Sequence, residues 1–201
     1  MTDLKFNLKN KTSLITGAAG MLGEQHARAL LEIGSRVILT DMNIESLNNV
    51  KENLCLEFAH EKILALKMDV TKSEDVENVL NTLNKKNIFV DVLINNAAID
   101  PKVRNQSGLS ETSRLENFSV DDWNLQLDVG LKGAFLCTKF FGHDMALRGG
   151  GVILNISSDL SVISPDQSLY KRADLDDYMQ PVKPVTYSVI KTGLVGLTRY
   201  V

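Results

Sequence analysis

The sequence predicts an α/β protein in which helices cover both faces of a parallel sheet. Five short apolar segments alternate with longer amphipathic segments along the 201 residues. The short segments are apolar at consecutive positions, which is typical of strands buried on both faces. A glycine-rich turn joins the first short segment to a helical one. Because such strands are joined by right-handed crossovers, we expect a doubly wound sheet.

The predicted elements follow one another in a regular order. The predicted strands are 12–17, 35–41, 62–69, 90–98 and 149–158. The predicted helices are 21–34, 43–61, 71–86, 119–148 and a last helix that begins near Pro184. The second helix is expected to bury a stripe with helical spacing, formed by Ile44, Leu47, Val50, Leu54 and Phe58.

Local signals mark the helix ends. Gly34 is predicted to end the first helix. Thr71 and Glu74 have the spacing of a capping box, and Ser119 is predicted to cap the long helix. An irregular polar stretch, 99–118, separates this helix from the fourth strand.

Composition narrows the class of protein. The net charge is −3 without charge runs, so the sequence does not indicate a nucleic-acid partner or an anionic membrane surface. No apolar run approaches the roughly 18 residues of a membrane span, and the first residues do not resemble a signal peptide. Cys55 and Cys137 are far apart, and neither they nor His26 and His143 show metal-ligand spacing. We therefore expect a cytoplasmic protein without a metal.

The turn after the first strand is predicted to cradle a phosphate group. The stretch TGAAGMLG carries Gly17, Gly20 and Gly23 between a strand and a helix. Glycine permits a sharp turn and a close approach of a pyrophosphate, and the free N–H groups of the helix N-terminus attract an anion. The alternative is a glycine-rich turn without a ligand. In this context we favour a Rossmann-like dinucleotide site.

The acidic residue at the end of the second strand suggests which dinucleotide binds. Asp41 follows Gly23 by 18 residues. This spacing matches that of the acidic residue that holds the adenosine ribose in dinucleotide folds. Its carboxylate would repel a 2′-phosphate, and Met42 offers no compensating charge. The prediction is NAD rather than NADP. Asp41 could also be a helix N-cap, and both roles could coexist.

Six motifs together resemble the short-chain dehydrogenase/reductase family. They are TGAAGMLG, Asp41, MDV at 68–70, NNAA at 95–98, NISS at 155–158 and YSVIK at 187–191. The resemblance implies that Asp69 and Val70 flank the adenine and that Asn95 and Ala97 line the cofactor cleft. It also implies that Ser158, Tyr187 and Lys191 are catalytic. The complete expected cofactor set is Gly17, Gly20, Met21, Leu22, Gly23, Asp41, Asp69, Val70, Asn95, Ala97, Tyr187 and Lys191.

These residue types suit hydride transfer between a nicotinamide and a carbonyl or alcohol carbon. The oxygen needs a proton donor or acceptor, and a tyrosine serves if its phenolate is stabilised. Lys191, one turn after Tyr187, can supply part of that stabilisation and can hold the nicotinamide ribose. Ser158 would hydrogen-bond the substrate oxygen. The alternative is that Tyr187 and Lys191 form an ordinary surface pair.

The sequence departs from the family pattern in the glycine turn and the long helix. Gly20 stands one place early and Met21 takes the usual glycine position, a spacing closer to the epimerase and dehydratase branch. Gly130 stands where the family usually has an asparagine that holds a relay water. A glycine there could admit a water or allow a close backbone approach, and the sequence does not decide between them.

The third departure is a polar insertion. Ser158 and Tyr187 are 29 positions apart, whereas the spacing in the family is about a dozen, so we assign the segment 159–184 as an insertion. It is either a decorative loop or a substrate lid whose Tyr170, Lys171, Arg172 or Tyr178 touch phosphate or base. With PVTYSVIK and GLKGAF, the insertion resembles oxidoreductases of surface-glycan and flagellin-modification pathways, which implies a nucleotide-linked sugar.

The leading hypothesis is an NAD-dependent oxidoreductase that acts on a secondary alcohol or ketone as a small-molecule substrate. The alternatives are a nucleotide-binding sensor or scaffold, and a sugar epimerase or dehydratase that retains its NAD. The resemblance implies a single domain over 1–201, strand order 3-2-1-4-5, and a homo-oligomer. In the family, further strands follow the Tyr-x-x-x-Lys helix, so we expect the natural chain to continue beyond Val201.

Overall fold

The structure is a computed structural model that describes residues 6–99 and 112–201. Internal contacts divide the described residues into two compact units. The first unit contains 6–97 and 132–155, and the second contains 98–99, 112–131 and 156–201. Most of the predicted irregular stretch, residues 100–111, lies outside the described residues.

The first unit contains a five-stranded parallel sheet. Its strands are β1 (Thr12–Thr16), β2 (Arg36–Asp41), β3 (Ile63–Lys67), β4 (Val92–Asn95) and β5 (Val152–Asn155). They lie in the order β3-β2-β1-β4-β5, and every neighbouring pair is parallel. This confirms the predicted fold class and strand order. Because all five strands are parallel, their carboxyl ends, which carry or precede the predicted site residues, lie along the same edge of the sheet.

Seven α-helices are assigned in the described residues. They are α1 (Met21–Glu32), α2 (Ile44–Cys55), α3 (Ser73–Lys85), α4 (Val120–Leu127), α5 (Gly133–Cys137), α6 (His143–Leu147) and α7 (Val185–Tyr200). Two π-helical turns, Asp128–Lys132 and Thr138–Gly142, follow α4 and α5. The helical segments follow one another without a gap over 120–147, where the sequence predicts the long helix. None of the helices that the structure describes is long and apolar enough to cross a membrane.

The core of the first unit lies between the sheet and its helices. Helix α1 packs on β1 and β2, and α2 packs on β2 and β3. Helix α5 packs on β4 and α3. From β1 the chain moves across the sheet to β2 and β3, and from β3 it returns to β4 on the other side of β1. Right-handed crossovers therefore place α1 and α2 on one face of the sheet and α3 and α5 on the opposite face. The largest side chain at the centre of the core is Phe141, which is fully buried.

The second helix is shorter than the sequence predicts. The helical stripe is buried at Leu47, Val50 and Leu54, as expected. However, α2 ends at Cys55, and the next residue, Leu56, is 86% exposed. Phe58 lies beyond the helix, so its predicted place on the stripe is wrong. The chain must turn back toward β3, and a short 3₁₀ turn at His60–Lys62 makes that return.

Two of the helix starts test the predicted caps. Ser119 caps α4, and its hydroxyl accepts a hydrogen bond from the backbone N–H of Asp122 at 3.0 Å. The capping box at Thr71 is wrong, because α3 begins at Ser73 without a side-chain cap. The Thr71 hydroxyl instead donates to the Asp69 carboxylate at 2.7 Å. The loop after β3 uses this threonine for its own turn.

The inserted segment belongs to the second unit and is organised around Gln180. The buried Gln180 side chain accepts from the backbone N–H of Arg172 at 2.8 Å. It donates to the carbonyl oxygens of Arg172 and Leu175. One amide group thus satisfies three backbone groups of a segment that has only 3₁₀ turns of its own.

Candidate active site

The glycine turn after β1 has two positions that only glycine fits. Gly17 has a φ of +62°, and a Cβ added there would lie 2.8 Å from Cα of Ala97. A Cβ at Gly23 would lie 2.6 Å from Cα of Ala18. A Cβ added at Gly20 would lie 3.5 Å from the carbonyl oxygen of Gly17, which is an ordinary van der Waals contact. Gly17 and Gly23 therefore shape the turn, and the predicted role of Gly20 toward a phosphate stays a prediction.

The turn leads directly into α1, whose first residues are exposed. Gly20 is the N-cap of α1 and makes no side-chain cap hydrogen bond. Met21 is 81% exposed, and Leu22 is also exposed. The N-terminus of this 12-residue helix therefore presents unpaired N–H groups and two accessible apolar side chains at the glycine turn.

Two residues that the sequence analysis did not single out hold this turn. The hydroxyl of Thr16 accepts hydrogen bonds from the backbone N–H groups of Asn96 and Ala97, both at 3.0 Å. The Asn96 side chain donates to the carbonyl oxygens of Thr16 and Gly17 at 3.0 and 3.1 Å. The ends of β1 and β4 are thus tied together. Thr16 lies in the TGAAGMLG motif and Asn96 in the NNAA motif, so these motifs were the sequence signal that could have identified both residues.

Asp41 lies against the glycine turn at the end of β2. One carboxylate oxygen accepts from the backbone N–H of Ala19 at 3.2 Å, and the other accepts from that of Asn43 at 2.9 Å. The helix N-cap is Asn43, which accepts from the N–H of Ser46 at 3.0 Å. The interpretation of Asp41 as the N-cap is therefore wrong. Its carboxylate lies at the glycine turn, and its predicted role toward a ribose stays a prediction.

The loop after β3 holds Asp69 and Val70. The Asp69 carboxylate accepts from the backbone N–H and the hydroxyl of Thr71, and it pairs with Lys72 at 3.3 Å. Burial alone would raise the pKa of Asp69, but these hydrogen bonds and the Lys72 charge hold it below its ordinary value. Val70 is buried. Asp69 therefore stiffens its own loop, and its predicted place beside an adenine stays a prediction.

Asn95 is a buried polar residue at the end of β4. Its Nδ2 group donates to Asn155 at 2.8 Å and to Thr138 at 3.3 Å. Its Oδ1 atom has no partner among the described residues, although the residue is only 5% exposed. Together with Ala97, which packs on Gly17, Asn95 stands in the first unit beside the glycine turn. A buried acceptor without a donor is a site for a further polar group.

In the second unit, Tyr187 and Lys191 lie one turn apart on α7. The ammonium of Lys191 is 5.5 Å from the centroid of the Tyr187 ring and donates to the Ile156 carbonyl at 2.6 Å. Lys191 is only 8% exposed, so the surface-pair interpretation is wrong. Burial, and then the charge of Lys183, lowers the pKa of Lys191 below its ordinary value. Lysine is seldom buried without a role for its charge.

The two serines that follow β5 donate hydrogen bonds to different acceptors. The Ser158 hydroxyl donates to Asp159 at 2.8 Å and accepts from the backbone N–H of Leu160. The Ser157 hydroxyl donates to the carbonyl oxygen of Lys191 at 2.9 Å. The structure thus joins Lys191 to the segment that carries Ser158, but the Ser158 hydroxyl itself is turned to a neighbouring carboxylate. Its role toward a substrate stays a prediction.

A pocket of the second unit lies beside Tyr187. It is lined by Ala98, Ile99, Gln126, Gly130, Lys183, Pro184, Tyr187, Ile190 and Lys191. The ammonium of Lys183 lies 3.9 Å from the centroid of the Tyr187 ring. Sequence reasoning did not select Gln126 or Lys183, because neither belongs to a motif and only the fold brings them to this pocket.

The structure explains Gly130 by packing. A Cβ at Gly130 would lie 2.8 Å from Cγ2 and 3.2 Å from Cδ1 of Ile190 on α7. The glycine therefore permits a close approach of Ile190 rather than leaving space for a water. An asparagine in the family's manner would not fit here without moving Ile190.

Comparison with known proteins assigns this chain to a family. The model of the short chain dehydrogenase family matches residues 11–172. The chain belongs to that family. Its sequence is 29% identical, over 98% of this chain, to an NAD-dependent glycerol dehydrogenase of Listeria innocua serovar 6a. It is 30% identical, over 96% of this chain, to a mitochondrial borneol dehydrogenase of Lavandula x intermedia. The alignments cover 65% and 62% of these two relatives.

Solved structures of short-chain dehydrogenases share the fold. A gluconate 5-dehydrogenase from Burkholderia cenocepacia J2315, in complex with NADP and tartrate, has a TM-score of 0.77 and 25% identity. A levodione reductase has a TM-score of 0.78 at 24% identity, which supports the fold alone. Both alignments cover 66% of the other chain. The chain thus spans about two thirds of the length of the family members it matches.

Proposed function

We propose that this protein is an NAD-dependent oxidoreductase that moves a hydride between nicotinamide and the carbon of a secondary alcohol or ketone. The observation that carries the proposal is the placement of Tyr187 and the buried Lys191 one turn apart beside a pocket. Membership of the short-chain dehydrogenase family supports the reaction class.

The residues of the first unit suit a dinucleotide. The N-terminus of α1 and the orphaned Oδ1 of Asn95 are features that a phosphate and a polar ring substituent would satisfy. The Asp41 carboxylate favours a ribose with free hydroxyls over one with a 2′-phosphate. The Listeria relative is named NAD-dependent and the Burkholderia structure contains NADP, so the choice of NAD rests on Asp41.

When bound, the nicotinamide accepts or supplies the hydride. The protein supplies the proton transfer and the positioning. Tyr187 takes the proton from the substrate hydroxyl, or returns it to the carbonyl oxygen. The Lys191 ammonium favours the charged form of that phenol through its proximity. The Ser158 hydroxyl, after turning from Asp159, donates to the substrate oxygen and stabilises its charge.

The test is turnover by the full-length protein. A panel of secondary alcohols and polyols with NAD is assayed by absorbance of the reduced cofactor. Tyr187→Phe should lower turnover by about two to four orders of magnitude, the usual contribution of an acid–base group. Calorimetry should show unchanged NAD affinity for this variant. Tyr200→Phe is the matched control, because Tyr200 lies on the same helix and is 90% exposed. Equal turnover by both variants would refute the role of Tyr187.

A nucleotide-linked sugar, as used in surface-glycan or flagellin modification, is the second candidate substrate. The exposed ammonium of Lys171 in the insertion favours it, and Arg172 would have to leave Asp174, with which it pairs at 2.8 Å, to bind a phosphate. Changing Lys171 and Arg172 to Ala should then raise the KM for a nucleotide sugar without changing NAD affinity. NAD that copurifies without net reduction would favour an epimerase or dehydratase, and NAD binding without any turnover would favour a sensor.

A further inference from the structure

The serine that precedes Ser158 carries an inference that rests on the proposed function. Ser157 is half-buried in the second unit, two residues after the end of β5. Its hydroxyl donates to the backbone carbonyl oxygen of Lys191 on α7 at 2.9 Å. Because a serine hydroxyl has one proton, this bond commits its donor to the helix. Any effect of Ser157 on the chemistry therefore passes through Lys191.

Two consecutive residues of one segment hold Lys191 at both of its ends. The Lys191 ammonium donates to the carbonyl oxygen of Ile156 at 2.6 Å, and the Lys191 backbone carbonyl accepts from Ser157. One hydrogen bond alone would fix a single distance and let the long side chain swing about it. Two bonds, one at each end of the lysine, fix both the position and the direction of its side chain relative to the segment 156–157.

The surroundings of the ammonium make this support necessary. Lys191 is only 8% exposed, and burial, followed by the charge of Lys183, lowers the pKa of Lys191 below its ordinary value. A flexible charged side chain in such a place turns toward water unless hydrogen bonds hold it. The ammonium lies 5.5 Å from the centroid of the Tyr187 ring, so a displacement would change its attraction for a phenolate.

A second hydrogen bond between the same two elements offers a comparison. The Thr192 hydroxyl donates to the carbonyl oxygen of Ser161 at 3.0 Å, and Ser161 is the last residue of the 3₁₀ turn Asp159–Ser161. This bond also attaches the segment after β5 to α7, one residue beyond Lys191, but it involves no atom of Lys191. Attachment of the segment and placement of the lysine can therefore be separated by mutation.

We propose that Ser157 is a positioning residue for the Lys191 ammonium in the proposed hydride transfer. It holds the backbone of Lys191 against the segment whose Ile156 carbonyl receives the ammonium. The charge is thereby kept beside Tyr187, where it stabilises the phenolate. Ser157 acts through Lys191 and not on the substrate.

The kinetic test uses the full-length protein and an alcohol that it oxidises with NAD. Ser157→Ala should lower kcat about threefold to tenfold, which is the usual contribution of one hydrogen bond, with little change in the KM of the alcohol. Because oxidation uses the phenolate as base, the rise of kcat with pH should move to higher pH when the ammonium is displaced. Ser157→Thr keeps the hydroxyl and should restore both properties. Thr192→Val is the matched control and should leave both unchanged.

A second measurement does not depend on turnover. Acetic anhydride labels amines, and peptide mass spectrometry gives the rate of labelling at Lys191 in the full-length protein. Ser157→Ala should raise this rate at least about threefold, because the ammonium is no longer held in place. Ser157→Thr and Thr192→Val should keep the slow rate. If the alanine variant does not fold, Ser157→Cys replaces it under the same criteria, since a thiol is only a weak donor.

The two levels of proposal fail in different ways. Faster labelling of Lys191 in Ser157→Ala alone, without turnover of any alcohol or ketone by the unaltered protein, would support the positioning and contradict the oxidoreductase. Turnover whose kcat and pH profile are the same in Ser157→Ala would support the oxidoreductase and overturn the positioning. Equal effects of Ser157→Ala and Thr192→Val would show that the bond only attaches the segment, and would also overturn it, as would an unchanged rate of labelling.

Discussion

Replacing Gly130 by alanine tests whether packing explains this glycine. The added Cβ would lie 2.8 Å from Cγ2 and 3.2 Å from Cδ1 of Ile190, whereas unstrained carbon contacts are about 3.5–4.0 Å. Ile190 is buried and cannot move freely into solvent. The substitution therefore overpacks the contact between the turn after α4 and helix α7.

Two opposing terms set the expected magnitude. Alanine in place of glycine favours a helical backbone by about 1 kcal/mol. Overpacking a buried contact costs about 1–3 kcal/mol. We expect a net loss of about 1 kcal/mol, which corresponds to a fall in Tm of about 2–4 °C. Gly130→Asn, which restores the residue usual in the family, should destabilise the protein more because its side chain is larger.

Thermal unfolding of the full-length protein measures these effects. Gly196→Ala is the matched control, because Gly196 lies on α7 and a Cβ there would have nothing within 4 Å. This control should be slightly stabilised. In an Ile190→Ala background both overlapping atoms are gone, so Gly130→Ala should become stabilising. If Gly130→Ala raises the Tm as much as Gly196→Ala does in the unaltered protein, the packing explanation is refuted.

Three further predictions concern the cofactor, acid stability and thiol reactivity. NAD should bind at least tenfold more tightly than NADP, and Asp41→Ala should narrow this difference by weakening NAD; equal affinities in calorimetry would contradict it. Because the pKa of Asp69 is held below its ordinary value, its contribution to stability is present above about pH 4 and is lost as the pH falls further. Asp69→Asn should therefore flatten the acid side of the stability curve measured by denaturant unfolding, and an unchanged slope would exclude this contribution. Burial raises the pKa of the Cys137 thiol to about 12, so a maleimide at pH 8 should label Cys55 alone in the folded protein and both cysteines in denaturant. If intact mass shows that both cysteines are labelled at the same rate in the folded protein, this prediction is wrong.

The sheet could be predicted from the sequence because its signals are local. Each strand is a short apolar run, and Gly17 and Gly23 each show a steric requirement that the pattern anticipated. Helix ends were harder to predict. Phe58 continues the helical spacing in the sequence, but α2 ends at Cys55 because the chain must return to β3. Tertiary connection overrode periodicity there.

The candidate site was predictable only where a motif carries the chemistry. Tyr187 and Lys191 are one turn apart in any helix, so their spacing sufficed. Gln126 reaches the same pocket from α4, which is 60 residues from its partner Thr186 along the chain. Nothing near Gln126 in the sequence signals this. In the sequence, Lys183 is one of two lysines in a polar insertion, and only the structure places it over the Tyr187 ring.

The two hydrogen bonds from the backbone N–H groups of Asn96 and Ala97 to the Thr16 hydroxyl affect the energetics of ligand binding. These bonds join the turn after β1 and the end of β4 into a single preorganised body. Ordering a flexible loop on binding would consume part of the interaction energy as lost conformational entropy. Here that entropy has already been lost during folding. A phosphate that binds this turn, as proposed, should therefore bind with a small entropic penalty and little rearrangement of the backbone.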